Sequence, residues 1–73
     1  MQECDVKIGM KVRTPDLLRD KNSMLIVVVK RIMPYKDHMG KSIYEVEGTT
    51  MDRFHRPYNY ITQRLAEEME VYL

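Results

Sequence analysis

Residues 6–13 alternate strictly between apolar and polar side chains, and no other feature constrains the fold of this chain as strongly. One side of the pattern holds Val6, Ile8, Met10 and Val12, and the other holds Lys7, Gly9, Lys11 and Arg13. Side chains alternate between the two faces along a β-strand. The segment is therefore predicted to be a strand with one face in a core and the other in water.

A second strand is predicted at Met24–Met33, where the centre of the segment, residues 26–29, is entirely β-branched. Branching at Cβ favours strand over helix. Because both sides are apolar, the strand is expected to be buried on both faces or to bend around the core. Pro34 is expected to end it, and a polar loop is predicted at 35–41 with a turn at Gly40.

The segment between these two strands, Thr14 to Ser23, contains Pro15 and the turn pair Asn22-Ser23 and reads as a long loop. Leu17 and Leu18 are expected to attach this loop to the core.

Two further strands are predicted in the middle of the chain. Ser42–Glu47 places Tyr44 and Val46 on one face, and Gly48 is expected to form a turn. Thr50–Arg56 is predicted as a fourth strand with Phe54 as its anchor. Pro57 is expected to close this strand, because proline cannot donate to a ladder.

The last fifteen residues fit two patterns. Ile61, Leu65, Met69 and Tyr72 recur at helical spacing, whereas residues 69–73 alternate at strand spacing. We expect a short helix at about 62–67, capped by Thr62, followed by a strand at 69–73. A single helix over 59–73 is the alternative.

The resulting order is strand, long loop, three strands, helical turn and strand, which resembles the SH3-like small barrels, a group that includes SH3, Tudor and KOW domains. The segment Ile8-Gly9-Met10-Lys11-Val12-Arg13 is similar to the hydrophobic-Gly-x-x-Val start of that group. The resemblance implies a mainly β fold, a small five-stranded barrel with a helical turn near its end. If the last segment is one helix, the fold becomes a curved antiparallel sheet plus a C-terminal helix.

Length and composition indicate one domain over residues 1–73, with residues 1–5 frayed. Cys4 is the only cysteine, so no intramolecular disulfide can form, and a free thiol without a signal peptide is typical of the cytoplasm. Because the chain begins with Met1, we expect a complete small gene product, and its small independent size favours an accessory or regulatory protein of a bacterium or a phage.

No residues form a recognisable catalytic, metal or cofactor site. Cys4, His38 and His55 are scattered along the chain, and the three glycines are too far apart for a phosphate-binding loop. The sequence therefore predicts a protein that is not an enzyme and that needs neither a metal nor a cofactor.

A mixture of arginine and aromatic side chains is the feature with the most functional content. Such side chains dominate protein-binding hot spots. The predicted protein-binding residues are Arg53, His55, Arg56, Tyr58, Tyr60 and Tyr35. The alternative is that Phe54, Tyr58 and Tyr60 fill the core while the arginines are merely solvated.

A nucleic-acid-binding barrel of the KOW or Tudor kind is the second functional hypothesis. Residues 6–41 contain nine basic and three acidic residues, although the whole chain has a net charge of only +1. The predicted basic stripe consists of Lys7, Lys11, Arg13, Lys30 and Arg31. The apolar second strand and the edge strands of an incompletely closed barrel also favour a homodimer, and no segment is long enough to cross a membrane.

Overall fold

The computed structural model describes residues 1–16 and 20–72 and shows a mainly β fold. A 3-10 turn at Glu3–Asp5 precedes the first strand, and a second 3-10 turn at Ala66–Glu68 precedes the last. The strands are β1 (Lys11–Asp16), β2 (Asp20–Lys36), β3 (Ser42–Met51), β4 (Pro57–Leu65) and β5 (Glu70–Val71). They form one antiparallel sheet in the order β4-β3-β2-β1-β5.

β1 starts later than the alternating pattern predicts. The chain turns at Ile8 and Gly9, where Gly9 has a φ of 90°, so residues 6–10 do not form a strand of their own. The Gly9 N–H donates to the Val29 carbonyl and the Val29 N–H donates to the Met10 carbonyl, so this segment still lies beside β2. Val12 is buried as expected, whereas Ile8 is exposed.

The predicted long loop at Thr14–Ser23 is wrong, because strand pairing continues through most of it. β1 extends to Asp16, β2 begins at Asp20, and these two residues are paired. Thr14 favours this extension because its side chain is fully buried on the inner face. The expectation for Leu17 and Leu18 lies outside the described residues.

β2 is longer than predicted, at 17 residues, and over residues 24–29 it is buried mainly on one face. Leu25, Val27 and Val29 are buried, whereas Ile26 between them is exposed. The strand also passes through Pro34, which does not end it. Its register with β3 shifts twice, between Val29 and Arg31 and again before Lys36, and such irregularities let a long strand bend around a small core.

β3 confirms that Tyr44 and Val46 face the core, but it runs past Gly48, where a turn was predicted. Gly48 pairs with Val27 and Tyr60 inside the sheet. A Cβ on Gly48 would lie 2.6 Å from the Ile26 carbonyl oxygen and 2.8 Å from Val27 Cγ1. Glycine is therefore needed here for close approach between strands rather than for a turn.

The predicted strand at Thr50–Arg56 is also wrong. Thr50 and Met51 belong to β3, residues 52–56 form a hairpin turn, and Phe54 is exposed instead of anchored. Pro57 begins β4 rather than closing a strand.

The C-terminal segment contains a 3-10 turn and a short strand instead of either predicted helix. Residues 57–65 are β4, and Thr62 lies in that strand and not at a helix cap. The final strand is β5, shorter than the predicted 69–73. β-Structure prevails because Tyr60, Thr62 and Arg64 share the inner face of β4 at a spacing of two, which a helix would break.

The core is small and is tied together by a buried arginine. Its buried apolar residues are Val12, Leu25, Val27, Val29, Tyr44, Val46, Ala66 and Met69. Arg64 of β4 is only 5% exposed, and its Nε donates to Thr14 Oγ1 at 3.0 Å while its Nη2 donates to the Pro15 carbonyl at 3.2 Å. β4 and β1 are not neighbours in the sheet, so these bonds cross the inner face and hold the sheet in a curled shape.

The N-terminal residues, predicted to fray, are attached to this core. The Met1 ammonium donates to the Met69 carbonyl at 3.0 Å, and the Glu3 side chain accepts the Ser42 N–H. Among residues 1–16 and 20–72, no helix has the length and apolar character needed to span a membrane.

Candidate binding surface at the second hairpin tip

Two hairpin turns at opposite ends of β3 share one backbone design. The first tip (residues 37–41) joins β2 to β3, and the second tip (residues 52–56) joins β3 to β4. In each tip the N–H of the first residue donates to the carbonyl of the fifth, and the N–H of the fourth donates to the carbonyl of the first, all at 3.0 Å. Both turns therefore have the same path.

An aspartate fixes each turn from its first position. Asp37 Oδ1 accepts the N–H groups of Met39 and Lys41 at 2.9 and 2.7 Å, and Asp52 Oδ1 accepts those of Phe54 and Arg56 at 2.8 and 2.9 Å. Aspartate favours turns because its short side chain reaches backbone donors two residues ahead. In the first tip, the Lys41 N–H above all lowers the pKa of Asp37 below its ordinary value.

The fourth position of each turn requires a left-handed backbone. Gly40 occupies it with a φ of 78° and His55 with a φ of 61°. Glycine adopts this conformation freely, whereas a residue with a Cβ does so at a cost of about 1–2 kcal/mol. Strain of this kind in an exposed loop is associated with functional sites.

The second tip presents an exposed aromatic ring beside two cations. Phe54 is 59% exposed, and the Arg53 and Arg56 Cζ atoms lie 4.8 and 5.0 Å from its ring centroid. Arg56 Nε also donates to Asp52 Oδ2 at 3.2 Å, which ties one guanidinium to the turn. Guanidinium groups near an aromatic ring are attracted by its quadrupole, so Phe54 is held in place while remaining open to solvent.

The structure brings together some of the predicted protein-binding residues and separates others. Arg53, His55 and Arg56 lie on the second tip, and Tyr58, also exposed, follows at the start of β4. We call Arg53, Phe54, His55, Arg56 and Tyr58 the second-tip surface.

Tyr60 and Tyr35 are not part of this surface. Tyr60 packs against the hydrophobic core, as the alternative interpretation expected of it. Tyr35 lies next to Lys36, which pairs with Ser42 at the other end of β3. Ten strand residues separate the two ends, a distance of about 30 Å.

In the first tip, the basic fifth residue forms an ion pair and does not lie beside an aromatic ring. Lys41 Nζ donates to Glu67 Oε1 and Oε2 at 3.1 and 3.0 Å, and this bond raises the pKa of Lys41. Met39, at the position equivalent to Phe54, is 68% exposed and has no aromatic ring. An open cleft of about 360 Å³ beside this tip is lined by Glu3, Lys41 and Glu67, whose charged groups already bind within the chain.

The predicted basic stripe is largely neutralised by carboxylates on adjacent strands. Arg13 pairs with Glu70 at 3.7 Å. The register shift between Val29 and Arg31 puts Lys30 and Arg31 on the same face, where they pair with Glu47 at 3.7 Å and Glu45 at 3.3 Å. Lys7 and Lys11 form no ion pair with the described carboxylates.

The residues considered for metal or thiol chemistry lie apart. His38 is on the first tip and His55 on the second, and Cys4 is an exposed free thiol. Within the part of the chain that the structure describes, no three His, Cys, Asp or Glu side chains are placed to hold a metal ion.

The two tips share a signal in the sequence. Asp37-His38-Met39-Gly40-Lys41 and Asp52-Arg53-Phe54-His55-Arg56 share an aspartate, an apolar third residue and a basic fifth residue. Three-residue hairpin loops favour a left-handed residue after a type I turn. The substitution of histidine for glycine at that position conceals the second copy of the motif.

No family model, curated protein or solved structure matches this chain.

Proposed function

We propose that this chain is a small, non-enzymatic, cytoplasmic interaction module that binds a protein partner through the second-tip surface, in an accessory or regulatory role. The observation that carries the proposal is Phe54, an exposed ring held beside Arg53 and Arg56 on a turn fixed by Asp52. Nothing in the packing of the domain requires an aromatic ring at this exposed position.

Pre-organisation explains why this surface suits binding. Immobilising a side chain on association costs about 0.5–1.5 kcal/mol, and a ring already held by two guanidinium groups avoids most of that cost. Phe54 supplies apolar contact area, and the arginines supply directional donors around it. A complementary partner surface would offer an apolar pocket rimmed by carboxylates.

The scaffold that we propose for this surface is an SH3-like barrel, left open between β4 and β5. The five strands and the 3-10 turn before β5 agree with the element order on which the resemblance rests, except that paired strands replace most of the long loop between β1 and β2. The bonds from Arg64 to Thr14 and Pro15 support a curled, barrel-like sheet, because they join two strands that are not adjacent in it.

Binding of nucleic acid through the basic stripe has weaker support. Three of its five bases face carboxylates of the same chain, and a phosphate backbone would have to compete with these ion pairs. Affinity for nucleic acid depends on cations that are available to replace counterions.

The test compares Phe54→Ala with Met39→Ala, the matched change on the first tip. Partners captured from an extract of the source cells by the native protein are identified, and their affinities for each variant are measured by calorimetry. Phe54→Ala is expected to weaken binding by about 2 kcal/mol or more, whereas Met39→Ala leaves it unchanged. Both variants are expected to melt like the native domain, because both side chains are exposed.

Unchanged affinity of every captured partner for Phe54→Ala would contradict the proposal. If oligonucleotides bind instead, with a steep salt dependence that Lys11→Glu reduces and Phe54→Ala does not, the basic stripe is the binding surface.

A further inference from the structure

β4 forms one edge of the sheet and presents a free row of backbone groups. It is nine residues long, and among residues 1–16 and 20–72 its one strand partner is β3. The other edge strand, β5, has two residues. A long unpaired edge is a template on which another strand can add.

The hydrogen bonds of the second tip determine which residues of β4 face this edge. The Asp52 N–H donates to the Arg56 carbonyl, so the polar groups of residue 56 point toward β3. These groups alternate along an antiparallel strand, so residues 57, 59, 61, 63 and 65 point away from β3. The Gln63 carbonyl is consistent with this alternation, because it accepts a hydrogen bond from Arg64 Nη1 and not from β3.

The two ends of this row are blocked within the chain. Pro57 has no N–H, and the Leu65 N–H donates to Glu68 Oε1 at 2.8 Å. Within the described part of the chain, the N–H groups of Asn59, Ile61 and Gln63 therefore remain as the donors of this row without a partner. They form a symmetric set of three centred on Ile61.

The edge lacks the charged side chains that usually prevent association. The one charged residue of β4 is Arg64, which is buried. Natural edge strands are protected by exposed charges, and lysine is common there. Here the edge carries Asn59, Ile61 and Gln63, and Ile61 is 60% exposed.

Charges at the two ends of β4 favour a copy of the same chain in antiparallel orientation. Arg53 and Arg56 lie just before β4, and Glu67 and Glu68 lie just after it. Arg56 pairs with Asp52 and Glu67 pairs with Lys41, so a net charge of one unit remains at each end, positive from Arg53 and negative from Glu68. When two β4 strands pair about Ile61, residue 56 of one chain comes opposite residue 66 of the other. The basic second tip of each copy then lies beside the acidic turn of its neighbour.

From these observations we propose that β4 is a self-association edge, on which a second copy of this chain pairs antiparallel about Ile61. Asn59 pairs with Gln63 of the second copy, and the two Ile61 side chains pack on each other. About six backbone hydrogen bonds form, two for each of the three hydrogen-bonded pairs. A C2 contact of this kind is isologous and closes on itself.

Amide hydrogen exchange of the native protein at low and high concentration tests this pairing without mutation. In the monomer, the N–H groups of residues 58, 60, 62 and 64 are expected to be protected by their bonds to β3, and those of 59, 61 and 63 are expected to exchange freely. At about 1 mM protein, the exchange of 59, 61 and 63 is expected to slow by tenfold or more, since association is concentration-dependent. No change at these three positions would overturn the proposal.

Sedimentation of Ile61→Lys against Ile8→Lys provides a matched pair, because the two isoleucines are similarly exposed, at 60% and 57%. The native protein and Ile8→Lys are expected to sediment increasingly as a species of twice the 8.8 kDa monomer mass as concentration rises. Ile61→Lys places two lysines opposite each other and is expected to raise the dimer dissociation constant by about tenfold or more.

A native protein that stays monomeric at about 1 mM overturns the proposal, and so does a dimer that Ile61→Lys leaves intact. If Ile61→Lys fails to fold, Asn59→Lys on the same edge replaces it, with the same expected result. The two proposals fail separately although both involve the second tip, because Phe54→Ala removes the ring and leaves the β4 edge intact, whereas Ile61→Lys changes the edge and leaves the tip intact. Phe54→Ala is expected to leave the sedimentation unchanged, and Ile61→Lys is expected to leave partner affinity unchanged when it is measured at concentrations at which the protein is a monomer.

Discussion

The two hairpin tips of this domain have the same turn and different side chains on it. In each tip an aspartate accepts two backbone N–H groups and the fourth residue has a positive φ. The first tip has glycine at the strained position and uses its lysine in an ion pair with Glu67. The second has His55 there and uses its arginines around an exposed phenylalanine.

This difference distinguishes the residues that fix the turn from those whose side chains can vary and contact a partner. The aspartate and the left-handed position determine the path of the backbone in both tips. The second, third and fifth positions vary, and in the second tip they carry two cations and a ring. A hairpin that keeps histidine where glycine is easier, and exposes an aromatic ring beside it, has features of a binding loop.

The largest expected loss of stability comes from a substitution in β3, the strand that joins the two tips. Gly48→Ala places a Cβ against the Ile26 carbonyl, so β3 must shift away from β2. We expect a loss of about 2–3 kcal/mol in the free energy of unfolding, measured by urea denaturation. Gly9→Ala is the control, because space around Gly9 is open and only its positive φ opposes a side chain. A Gly48→Ala variant as stable as the native domain would contradict the observed approach of β2 and β3.

Substitutions at the left-handed fourth position of each tip are expected to change stability by a smaller amount, and differently in the two tips. Gly40→Val puts a β-branched residue at a φ of 78° and is expected to destabilise the domain by about 1–2 kcal/mol. His55→Gly relieves strain but increases the freedom of the unfolded chain, so the net change is expected to stay within about 0.5 kcal/mol. Thermal melting of both variants checks this contrast. If Gly40→Val melts like the native protein, the first tip is not left-handed in solution.

The smallest effect concerns pH. The folded pKa of Asp37 lies below its ordinary value of 3.8 because its carboxylate accepts the Lys41 and Met39 N–H groups. Its contribution to stability is therefore fully present above that value and is lost as the pH falls through the lowered folded pKa. Asp37→Asn is expected to be less stable than the native domain at neutral pH, and this difference should shrink below about pH 3.8. A difference that stays constant with pH would exclude this linkage.

The sequence predicted the parts of the fold in which side-chain chemistry repeats locally. The inward faces of Tyr44 and Val46, the turn at Gly40 and the strand character of residues 24–33 follow from alternation, glycine and β-branching. These signals depend on neighbouring residues only, so they can be read without knowledge of the fold.

The errors share a different cause, since each depends on contacts between distant segments. Gly48 was interpreted as a turn, but it is required where β3 approaches β2. Arg64 was interpreted as part of a helix, but its bonds to Thr14 and Pro15 cross the core. The ion pairs of Arg13, Lys30 and Arg31 also depend on register, which the composition of the segment does not reveal.

The sequence predicts the part of the candidate surface whose residues are neighbours in the chain. Arg53, His55, Arg56 and Tyr58 are close in sequence and remain close in the fold. Tyr35 was grouped with them on residue type alone, and the length of β3 separates it from them.

The most direct test of the account exchanges the second tip for the first. The variant Arg53→His, Phe54→Met, His55→Gly, Arg56→Lys keeps Asp52 and therefore keeps the turn. We expect it to melt within a few degrees of the native domain and to lose at least about 90% of its affinity for partners captured by the native protein. A variant that is equally stable and still binds every partner with native affinity would contradict the claim that the second tip is the binding surface.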